Sequence, residues 1–579
     1  MRTLACIVLL AALGAVVGLA LASKEVASQG YFHAELWRTG LWTAARGGWL
    51  GALAGAAAGA LLLLLLASWS ALLQVRVRQP QSAPGSAPLS LPACPPWVAR
   101  AALMGRFPRV LSGVVLAGVV ALCLAGWVVN TAARAAAKER GRSVILIGLD
   151  TVREDSTSLL SEGQHERDLT PNLRELAARG AVFSHAISQA SWTLPAFASI
   201  FTGLYPEEHG AEKGWQVLAP SQLTLAELLR EAGYLTIGIS SGIYVTRAAG
   251  MTQGFELFDE SQALDEETIS SVEVTDRAIR LLRAHRDQPL FLFLHYFDPH
   301  WMYRDHQQYH FADEYQGPLQ DLCCSLTHDE FERHAAAACS RPGQPLLDAQ
   351  ELHYLRQLHH EEIAFTDAHI GRLLREVRNL GLQDNTLIVV VSDHGEAFLE
   401  HHHLFHGKTL YQELVHVPLA IAGPEVPAGS SHAGPVETRA LFATILEFLG
   451  VKAPGGSSTA SLLRIPPGRQ ILARSAICFD VGGNRQGKAG PALEVWTTCI
   501  QDARWKLIKE HVHNRAALFD LTQEPAETRD CSAEHPEQRR RLERELHRLD
   551  AAARRRAPAA RVPEADEHFK RKLRALGYL

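Results

Sequence analysis

A segment in the first half of the chain has the composition of a nucleophile loop. In the stretch 190–203, Thr193 precedes Pro195 by two positions, and Gly203 closes the stretch ten positions after Thr193. A small hydroxyl residue followed by a proline and an apolar run is typical of the opening turn of a helix. A hydroxyl held in such a turn attacks an electrophile when a neighbouring group activates it. Thr193 is therefore a candidate nucleophile.

Two apolar runs far apart in the chain each end in side chains that bind metals. The run 144–149 precedes Asp150, and the run 387–392 precedes Asp393 and His394. Short apolar runs of this kind predict buried strands of a parallel sheet, in which ligands gather at the carboxyl ends of the strands. We therefore expect these three side chains to meet at one edge of a sheet.

The pattern from residue 143 onward alternates strands and helices and predicts an α/β fold. Strands are expected at 144–149, 181–185, 235–239, 290–295 and 387–392, and helices at 170–179, after 193, and at 224–232, 272–286 and 352–378. Helices that alternate with short apolar strands predict a mainly parallel sheet sandwiched by helices. His295 and His300 fall at or just beyond the end of the predicted strand 290–295.

The character of the sequence changes after Pro418 and predicts a smaller C-terminal α+β subdomain. A helix is expected at 438–449, strands at 493–498, 505–509 and 518–521, and a charged amphipathic helix at 538–550. We place a catalytic domain at 143–425 and the subdomain at 426–579. The arginines of the last helix are interpreted as a solvated face rather than a binding patch.

Three long runs without charged side chains dominate residues 1–133. They lie at about 4–23, 48–75 and 110–131, and each suffices for a transmembrane helix, which takes about 20 residues. More arginines lie between the second and third runs than between the first two, so the positive-inside rule places everything after the third run outside. Buried soluble helices are the alternative, and the first run is also compatible with a cleaved signal peptide.

Charge and cysteine content restrict the function further. A formal net charge of -5 over 579 residues gives no case for nucleic-acid binding. Six of the nine cysteines follow the third apolar run, namely Cys323, Cys324, Cys339, Cys478, Cys499 and Cys531. Outside the cytoplasm they can form disulfides, with a local bridge among the first three, and free buried thiols are the equal alternative.

Short motifs follow one another in a fixed order from Val144 to the C-terminus. They are the strand that ends in Asp150, the loop 190–203, the turn 205–210, Gly233-Tyr234-Leu235-Thr236, Asp298-Pro299-His300, the segment 392–396, His406-Gly407-Lys408 with 417–419, and the segment 518–527. In this order they make the chain resemble the sulfatase branch of the alkaline phosphatase superfamily. The closing segment 573–579 looks like the tail of many bacterial members. The resemblance implies the α/β fold with its smaller C-terminal subdomain.

The resemblance also implies a metal centre. One divalent metal would be held by Asp150, Asp393 and His394, with Thr193 as nucleophile and further ligand. Carboxylates together with an imidazole favour Zn or Mn, and Ca is the alternative. The metal would lower the pKa of the Thr193 hydroxyl, and N–H groups at the start of the following helix would face an anion.

Further histidines and one lysine complete the expected site. His300 and His406 are candidates to bind the anion or to protonate the leaving group, and Lys408 to clamp a non-bridging oxygen. The histidine run 401–403 is interpreted as solvent-facing or as an adventitious metal site. His209 follows a turn that resembles the family pattern and is interpreted as structural.

The nucleophile position departs from the pattern of members that cleave sulfate esters. Those carry a Cys or Ser that is oxidised to formylglycine, whereas the extra methyl group of Thr193 rules out conversion to an aldehyde. Phe197 replaces the arginine that supports the aldehyde hydrate, and Thr151 stands at the second acidic position. We therefore expect no formylglycine in this chain.

The expected activity follows from this departure. The chain is identified as a membrane-anchored, bacterial-type member that hydrolyses phosphoesters, either phosphodiesters or phosphonate or phosphate monoesters, through Thr193. Sulfuric ester hydrolysis, phosphoethanolamine or glycerophosphate transfer, and a catalytically silent membrane-tethered binding protein are the alternatives. The substrate is expected to be a small-molecule, lipid or glycan ester. The spans predict an integral membrane protein whose catalytic domain is periplasmic or extracellular, and the resemblance to bacterial members implies a bacterial inner membrane.

Overall fold

The structure is a computed structural model. It describes residues 107–160, 167–261, 270–304, 308–317, 347–454, 460–465, 473–481, 493–557 and 564–575, and the single positions 263, 306, 319, 320 and 331. The chain divides into two compact units, 1–132 and 133–579. The predicted spans 4–23 and 48–75 and the cysteines 323, 324 and 339 lie outside the described residues.

The elements are numbered in chain order. The helices are α1 Phe107–Arg140, α2 Pro171–Ala178, α3 Thr193–Thr202, α4 Pro206–His209, α5 Leu225–Glu231, α6 Ser271–His285, α7 Ala349–Asn379, α8 Gln412–Val415, α9 Leu441–Phe448, α10 Pro536–Arg556 and α11 Glu567–Ala575. The strands are β1 Ser143–Leu149, β2 Gly180–Ile187, β3 Leu235–Ser240, β4 Leu257–Asp259, β5 Leu290–Tyr296, β6 Thr386–Ser392, β7 Ala397–Phe398, β8 Leu404–Phe405, β9 His416–Val417, β10 Leu419–Ala422, β11 Ser430–Glu437, β12 Ala473–Val481, β13 Leu493–Gln501, β14 Trp505–Glu510 and β15 Arg515–Asp520.

Most strands of the main sheet run in parallel. Its order is β11-β2-β10-β6-β1-β5-β3-β4, and β9 pairs with β2 beside this path. Strands β1, β3, β4, β5 and β6 pair in parallel, as do β2 and β11, whereas β9 and β10 are antiparallel to their neighbours. The predicted α/β fold with a mainly parallel sheet is confirmed. The antiparallel strand β10 was not predicted, because an apolar run of four residues is too short to show the hydrophobic periodicity of a strand or a helix.

The two faces of the sheet have separate cores. Val144 and Leu146 of β1 belong to the cluster that includes α3 and α9, whereas Ile145 and Ile147 belong to the cluster that includes α2, α6 and α7. All seven residues of β1 and of β6 are buried. Burial of each valine, leucine and isoleucine side chain among them contributes about 1.5–3 kcal/mol. Strands β1 and β6 are therefore fixed from both sides, and so are the loops that follow them.

Local sequence sets the starts of the long helices. The carboxylate of Asp348 accepts the backbone N–H groups of Gln350 and Glu351, both at 2.9 Å, and caps α7. Thr224 and Glu227 form the equivalent reciprocal pair at the start of α5. Such capping boxes satisfy donors that the first turn of a helix leaves unpaired.

The C-terminal region forms a second, antiparallel sheet. Its order is β12-β13-β14-β15, and α10 covers it through Leu542 and Leu546, which pack with Trp505 and Leu507. The predicted boundary at 425/426 is followed by β11, which lies in the main sheet. The residues after 425 therefore contribute to both sheets. Within the described ranges, Cys499 and Cys531 are buried free thiols.

Helix α1 contains the predicted third span 110–131. In the part of the chain that the structure describes, no helix has the length and apolarity needed to cross a bilayer. The end of α1 packs within the second unit, where Ala137 is fully buried and Arg134 forms an ion pair with Glu256 at 2.6 Å.

Candidate active site

Three neighbouring strands deliver polar side chains to one edge of the main sheet. Strand β1 lies between β5 and β6, in a register that places Leu149 opposite Tyr296 and Ser392. Asp150 follows β1 directly, and Asp393 follows β6; backbone bonds of 3.0 Å and 3.1 Å join them to the ends of the adjacent strands. Since parallel strands end at the same edge, side chains far apart in sequence meet there.

The side chains at this edge form a compact cluster. Nε2 of His394 lies 3.5 Å from Oδ1 of Asp150 and 3.4 Å from Oδ2 of Asp393. Nε2 of His295, near the end of β5, lies 3.3 Å from Oδ2 of Asp150. Ligand atoms of Asp150, His295 and Asp393 all lie within 4.8 Å of one another. The predicted ligands are thus adjacent. His295, which was predicted to lie at a strand end but not to bind the metal, joins them.

The donor atoms of this cluster fit a divalent cation. Both carboxylate oxygens of Asp150, Oδ2 of Asp393 and Nε2 of His295 are buried and have no hydrogen-bond partner among the described residues. Uncompensated buried carboxylates are strongly unfavourable. Nδ1 of His394 lies 2.9 Å from the carbonyl oxygen of Gly395, so that nitrogen carries the proton and Nε2 presents its lone pair to the two carboxylates. A cation among these atoms would satisfy all of them.

The pKa shifts of these residues also indicate buried carboxylates whose charge is not compensated. Burial, and then the charge of Asp150, raise the pKa of Asp393 well above its usual range. Burial opposes the charge of Asp150 too, but the imidazoles of His295, His300 and His394 together hold its pKa below the usual range. Burial lowers the pKa of His394 to about 3. Two carboxylates this close do not both ionise unless a cation joins them.

Thr193 is the first residue of α3 and points to this cluster. Its Oγ1 lies 3.3 Å from Nε2 of His394. All ten residues of α3 are buried, and Gly203 ends the helix in the left-handed conformation with φ of 72°. Ser191, which was not predicted as a site residue, has a buried Oγ without a hydrogen-bond partner in the described part of the chain. The packing of α3 therefore fixes the hydroxyl of Thr193 beside the proposed metal ligands.

His300 and His406 lie next to the cluster. Their ring centroids are 4.9 Å apart, and the ring of His406 lies 4.5 Å from that of His394. Burial lowers the pKa of both His300 and His406 to about 4. Lys408 is half-buried two residues further on, and its charge contributes to the low pKa of His406. The structure thus places these predicted residues around the start of α3, and their roles remain predictions.

Glu396 contacts His406 and was missed as a functional residue. Its Oε1 lies 3.0 Å from Nδ1 of His406, and the hydroxyl of Tyr303 donates to its Oε2 at 3.3 Å. Burial raises the pKa of Glu396 to about 8. The residue belongs to the 392–396 motif, but nothing in the sequence reveals which histidine it meets. A carboxyl partner on Nδ1 fixes the orientation of the His406 ring.

One residue of the histidine run 401–403, His401, does not face solvent as predicted. Nδ1 of His401 lies 2.7 Å from Oε1 of Glu413, and Nε2 lies 3.1 Å from the carbonyl oxygen of Glu527. The solvent-facing interpretation is therefore wrong for His401, while His402 is exposed. His209 is buried, and its Nε2 lies 3.2 Å from the Ser199 hydroxyl, which is consistent with the structural interpretation.

The positions that depart from the family pattern have structural partners. The ring of Phe197 meets the ring of His295 edge-on, with centroids 4.9 Å apart. Gly148 leaves the space for that ring, because a Cβ at this position would lie 2.6 Å from it. Thr151 has φ of 56° and donates its hydroxyl to the carbonyl of Pro299 at 2.7 Å. Phe197 thus supports a cluster histidine, and Thr151 holds the segment that carries His300.

Comparison with known proteins assigns the chain to a family. The family model described as Sulfatase matches residues 142–451. The chain belongs to the sulfatase family. It is 27% identical over 394 residues to the multifunctional alkaline phosphatase superfamily protein PehA of Trinickia caryophylli, which covers 56% of this chain and 76% of PehA. This sulfatase-family member is accordingly a hydrolase of ester bonds, and the family uses a divalent metal.

Two solved structures share its fold. BT4656, in complex with its substrate D-glucosamine-2-N,6-O-disulfate, is 20% identical with a TM-score of 0.57, over 71% of this chain and 98% of that chain. The phosphonate monoester hydrolase SpPMH of Silicibacter pomeroyi is 22% identical with a TM-score of 0.56, over 71% of this chain and 96% of that chain. The predicted sulfatase-like fold is confirmed by this likeness.

Proposed function

We propose that the chain is a membrane-anchored, metal-dependent hydrolase that cleaves phosphoesters through Thr193. The substrate would be a phosphodiester or a phosphonate or phosphate monoester of a small molecule, lipid or glycan. The observation that carries the proposal is the position of the Thr193 hydroxyl, 3.3 Å from Nε2 of His394 at the start of a fully buried helix. Because threonine does not yield formylglycine, the hydroxyl itself is the nucleophile.

The metal centre would activate this hydroxyl. Asp150, Asp393, His394 and His295 would hold a divalent metal, with Zn or Mn favoured over Ca. When bound, it would supply the positive charge that polarises the ester and lowers the pKa of the Thr193 hydroxyl. Oγ1 of Thr193 attacks phosphorus in line with the leaving oxygen, and the bond from phosphorus to that oxygen breaks. The product alcohol departs with a proton from His406, and the proton that Thr193 loses balances it. Water then attacks the phospho-threonine, the bond from phosphorus to Oγ1 breaks, and a proton of the water returns to Oγ1 of Thr193.

His406 suits the role of proton donor better than His300. Nδ1 of His406 faces the carboxyl group of Glu396, whereas Nδ1 of His300 bonds to the carbonyl oxygen of Trp301. Glu396 retains a proton when it is buried, and transfer of that proton to Nδ1 of His406 would leave a carboxylate, which stabilises an imidazolium more than a carbonyl does. We assign proton donation to His406 and anion binding to His300 and Lys408.

Membrane anchoring is supported by the uncharged runs 4–23, 48–75 and 110–131. The side chains of Trp127, Val128 and Val129 on α1 are also exposed. In this proposal the chain is an integral protein of a bacterial inner membrane, and the catalytic unit lies on the periplasmic or extracellular side.

A substrate panel tests the proposal. The full chain in detergent is assayed with nitrophenyl sulfate, phosphate, a phosphodiester and a phosphonate monoester, each with Zn, Mn and Ca. We expect kcat/KM for one of the phosphorus esters to exceed that for sulfate by about 100-fold or more, and Thr193→Ala to lose about 1,000-fold while Thr193→Ser retains activity. A preference for sulfate, or full activity of Thr193→Ala, would overturn it.

The same assay separates the alternatives. Addition of glycerol as an acceptor distinguishes hydrolysis from transfer, because a transferase would release phosphorylated glycerol instead of the free acid. A chain that binds the metal but turns over none of the esters would favour the silent binding protein.

A further inference from the structure

The hairpin that leads to His406 and Lys408 has an unfavourable backbone. It comprises β7, β8 and the turn between them, residues 397–405, and Leu399, His402 and Phe405 have φ of 67°, 64° and 65°. L-residues rarely adopt this left-handed conformation, and each such residue costs about 1 kcal/mol or more. Contacts from outside the hairpin must therefore hold it in place.

His401 makes the contact between the hairpin and two other parts of the fold. Its Nδ1 meets Oε1 of Glu413 on α8 at 2.7 Å, and its Nε2 meets the backbone carbonyl of Glu527, in the C-terminal region, at 3.1 Å. The ring also stacks on Tyr411, with centroids 3.5 Å apart and planes 3° from parallel. Both ring nitrogens face acceptors, so both must carry a proton, and the ring is an imidazolium.

The charges around His401 balance when the ring is protonated. The groups that face it are the carboxylate of Glu413, the phenol of Tyr411, and Glu527. The carboxylate of Glu527 is matched by Lys506 at 2.8 Å, with both side chains fully buried, and it also accepts the backbone N–H of Gln412 at 2.6 Å. Lys506 thus compensates Glu527, and His401 compensates Glu413.

We propose that His401 is a positioning residue of the active site, whose imidazolium ties the hairpin that leads to His406 and Lys408 to α8 and to the C-terminal region. The proposal rests on the proposed function in one respect, that His406 and Lys408 act on the ester. A neutral ring donates only one of the two hydrogen bonds. Loss of the proton therefore releases either Glu413 or Glu527.

The direction of the pH dependence follows from this geometry. Burial opposes the charge of His401, but the hydrogen bond and charge of Glu413 outweigh burial and raise the pKa of His401 above its usual value. The tie is complete below the unfolded-state pKa of about 6.5. It is lost as the pH rises through the higher pKa of the folded state.

The first test is the pH profile of kcat and KM for the full chain, with His401→Gln and Glu413→Gln. We expect kcat of His401→Gln to fall about tenfold at pH 6 with little change in KM, and the alkaline limb of Glu413→Gln to move down by about one pH unit. His513→Gln is the control, because His513 also pairs with a carboxylate, Glu510, but on the surface. A wild-type profile in both His401→Gln and Glu413→Gln overturns the proposal.

The second test does not depend on turnover. Hydrogen exchange of the backbone at 397–411 is measured at pH 6 and pH 9 as protection factors, which correct for the intrinsic rate. We expect protection in the native chain to fall about tenfold or more at the higher pH, and Glu413→Gln to show the low protection at a lower pH than His513→Gln. Protection factors at 397–411 that do not change with pH would contradict the proposal, even if the chain hydrolyses esters. Protection that responds in a chain without ester hydrolysis supports the tie and refutes the proposed function instead.

Discussion

Two groups of buried acids lie on the same α/β core, and they are stabilised in opposite ways. Asp150 and Asp393 stand at the strand ends, and three of their four carboxylate oxygens have no hydrogen-bond partner among the described residues. Glu361, Glu362 and Asp367 stand on α7, and each accepts hydrogen bonds from backbone N–H groups. We call the first pair the strand-end acids and the second set the α7 acids.

The α7 acids hold a loop and the first turn of α2. Glu361 accepts the backbone N–H groups of Phe311 and Ala312 at 2.6 Å and 3.2 Å. Asp367 accepts those of Asn172 and Leu173 at 3.0 Å and 2.9 Å. Members of both groups have raised pKa values because of burial, so burial and acidity do not distinguish them. The two groups differ in the number of hydrogen-bond donors that contact their carboxylates. The strand-end acids have few such donors and therefore need a cation.

The largest expected effect separates the groups by metal content. Asp393→Asn should lose the bound metal and about 1,000-fold in kcat/KM, because a ligand charge is removed. Glu361→Gln is the matched control, since it neutralises an equally buried acid, and it should retain the metal. Elemental analysis of the purified variants and ester kinetics provide the measurements. Equal metal content in the two variants would contradict the prediction that only the strand-end acids bind the metal.

A smaller effect concerns the pH dependence of stability. Burial, and then the charge of Glu362, raise the pKa of Asp298 to about 7, although Ser271 donates to its carboxylate. The native state therefore holds a proton that the unfolded chain releases near pH 4. The free energy of unfolding should fall as the pH rises from about 4 to about 7, by at most about 1.4 kcal/mol per pH unit from this group.

Asp298→Asn should flatten that slope, as measured by denaturant unfolding at several pH values. The slope should persist after chelation of the metal, because Asp298 is not a member of the strand-end pair. A slope that vanishes with the metal would mean that the two groups are coupled.

The smallest expected effect is on stability alone. Glu361→Gln replaces an acceptor-only side chain with one that also presents an amide N–H₂ to the N–H groups of Phe311 and Ala312. The unfolding free energy should fall by about 1–3 kcal/mol, with kcat/KM changed by only a few-fold. Urea unfolding and steady-state kinetics check the two parts. A stability equal to that of the native chain would show that these bonds do not hold the loop.

The sequence predicted the parts of the fold that repeat a local pattern. The apolar runs of β1 and β6 and the helical periodicity of α7 can be recognised from the local sequence alone. The positions of Asp150, Asp393 and His394 directly after two predicted parallel strands also predicted that these side chains meet. The environment of His401 was not predictable, because one of its acceptors lies 126 residues later in the chain. Glu396 was missed for a different reason: His406 is only ten residues away, but the turn between β7 and β8 decides which histidine its carboxyl group meets.

Phe197 has a consequence for any attempt to redesign the nucleophile of this site. Its ring fills the space that Gly148 leaves and supports His295, at the position where the family pattern has an arginine. An arginine at this position would place a guanidinium beside Phe293 and His295, where Phe197 now packs. Replacement of Thr193 by cysteine would therefore not install formylglycine chemistry by itself. Such a change requires several coordinated substitutions, because the packing of Phe197 against His295 and Gly148 must change as well.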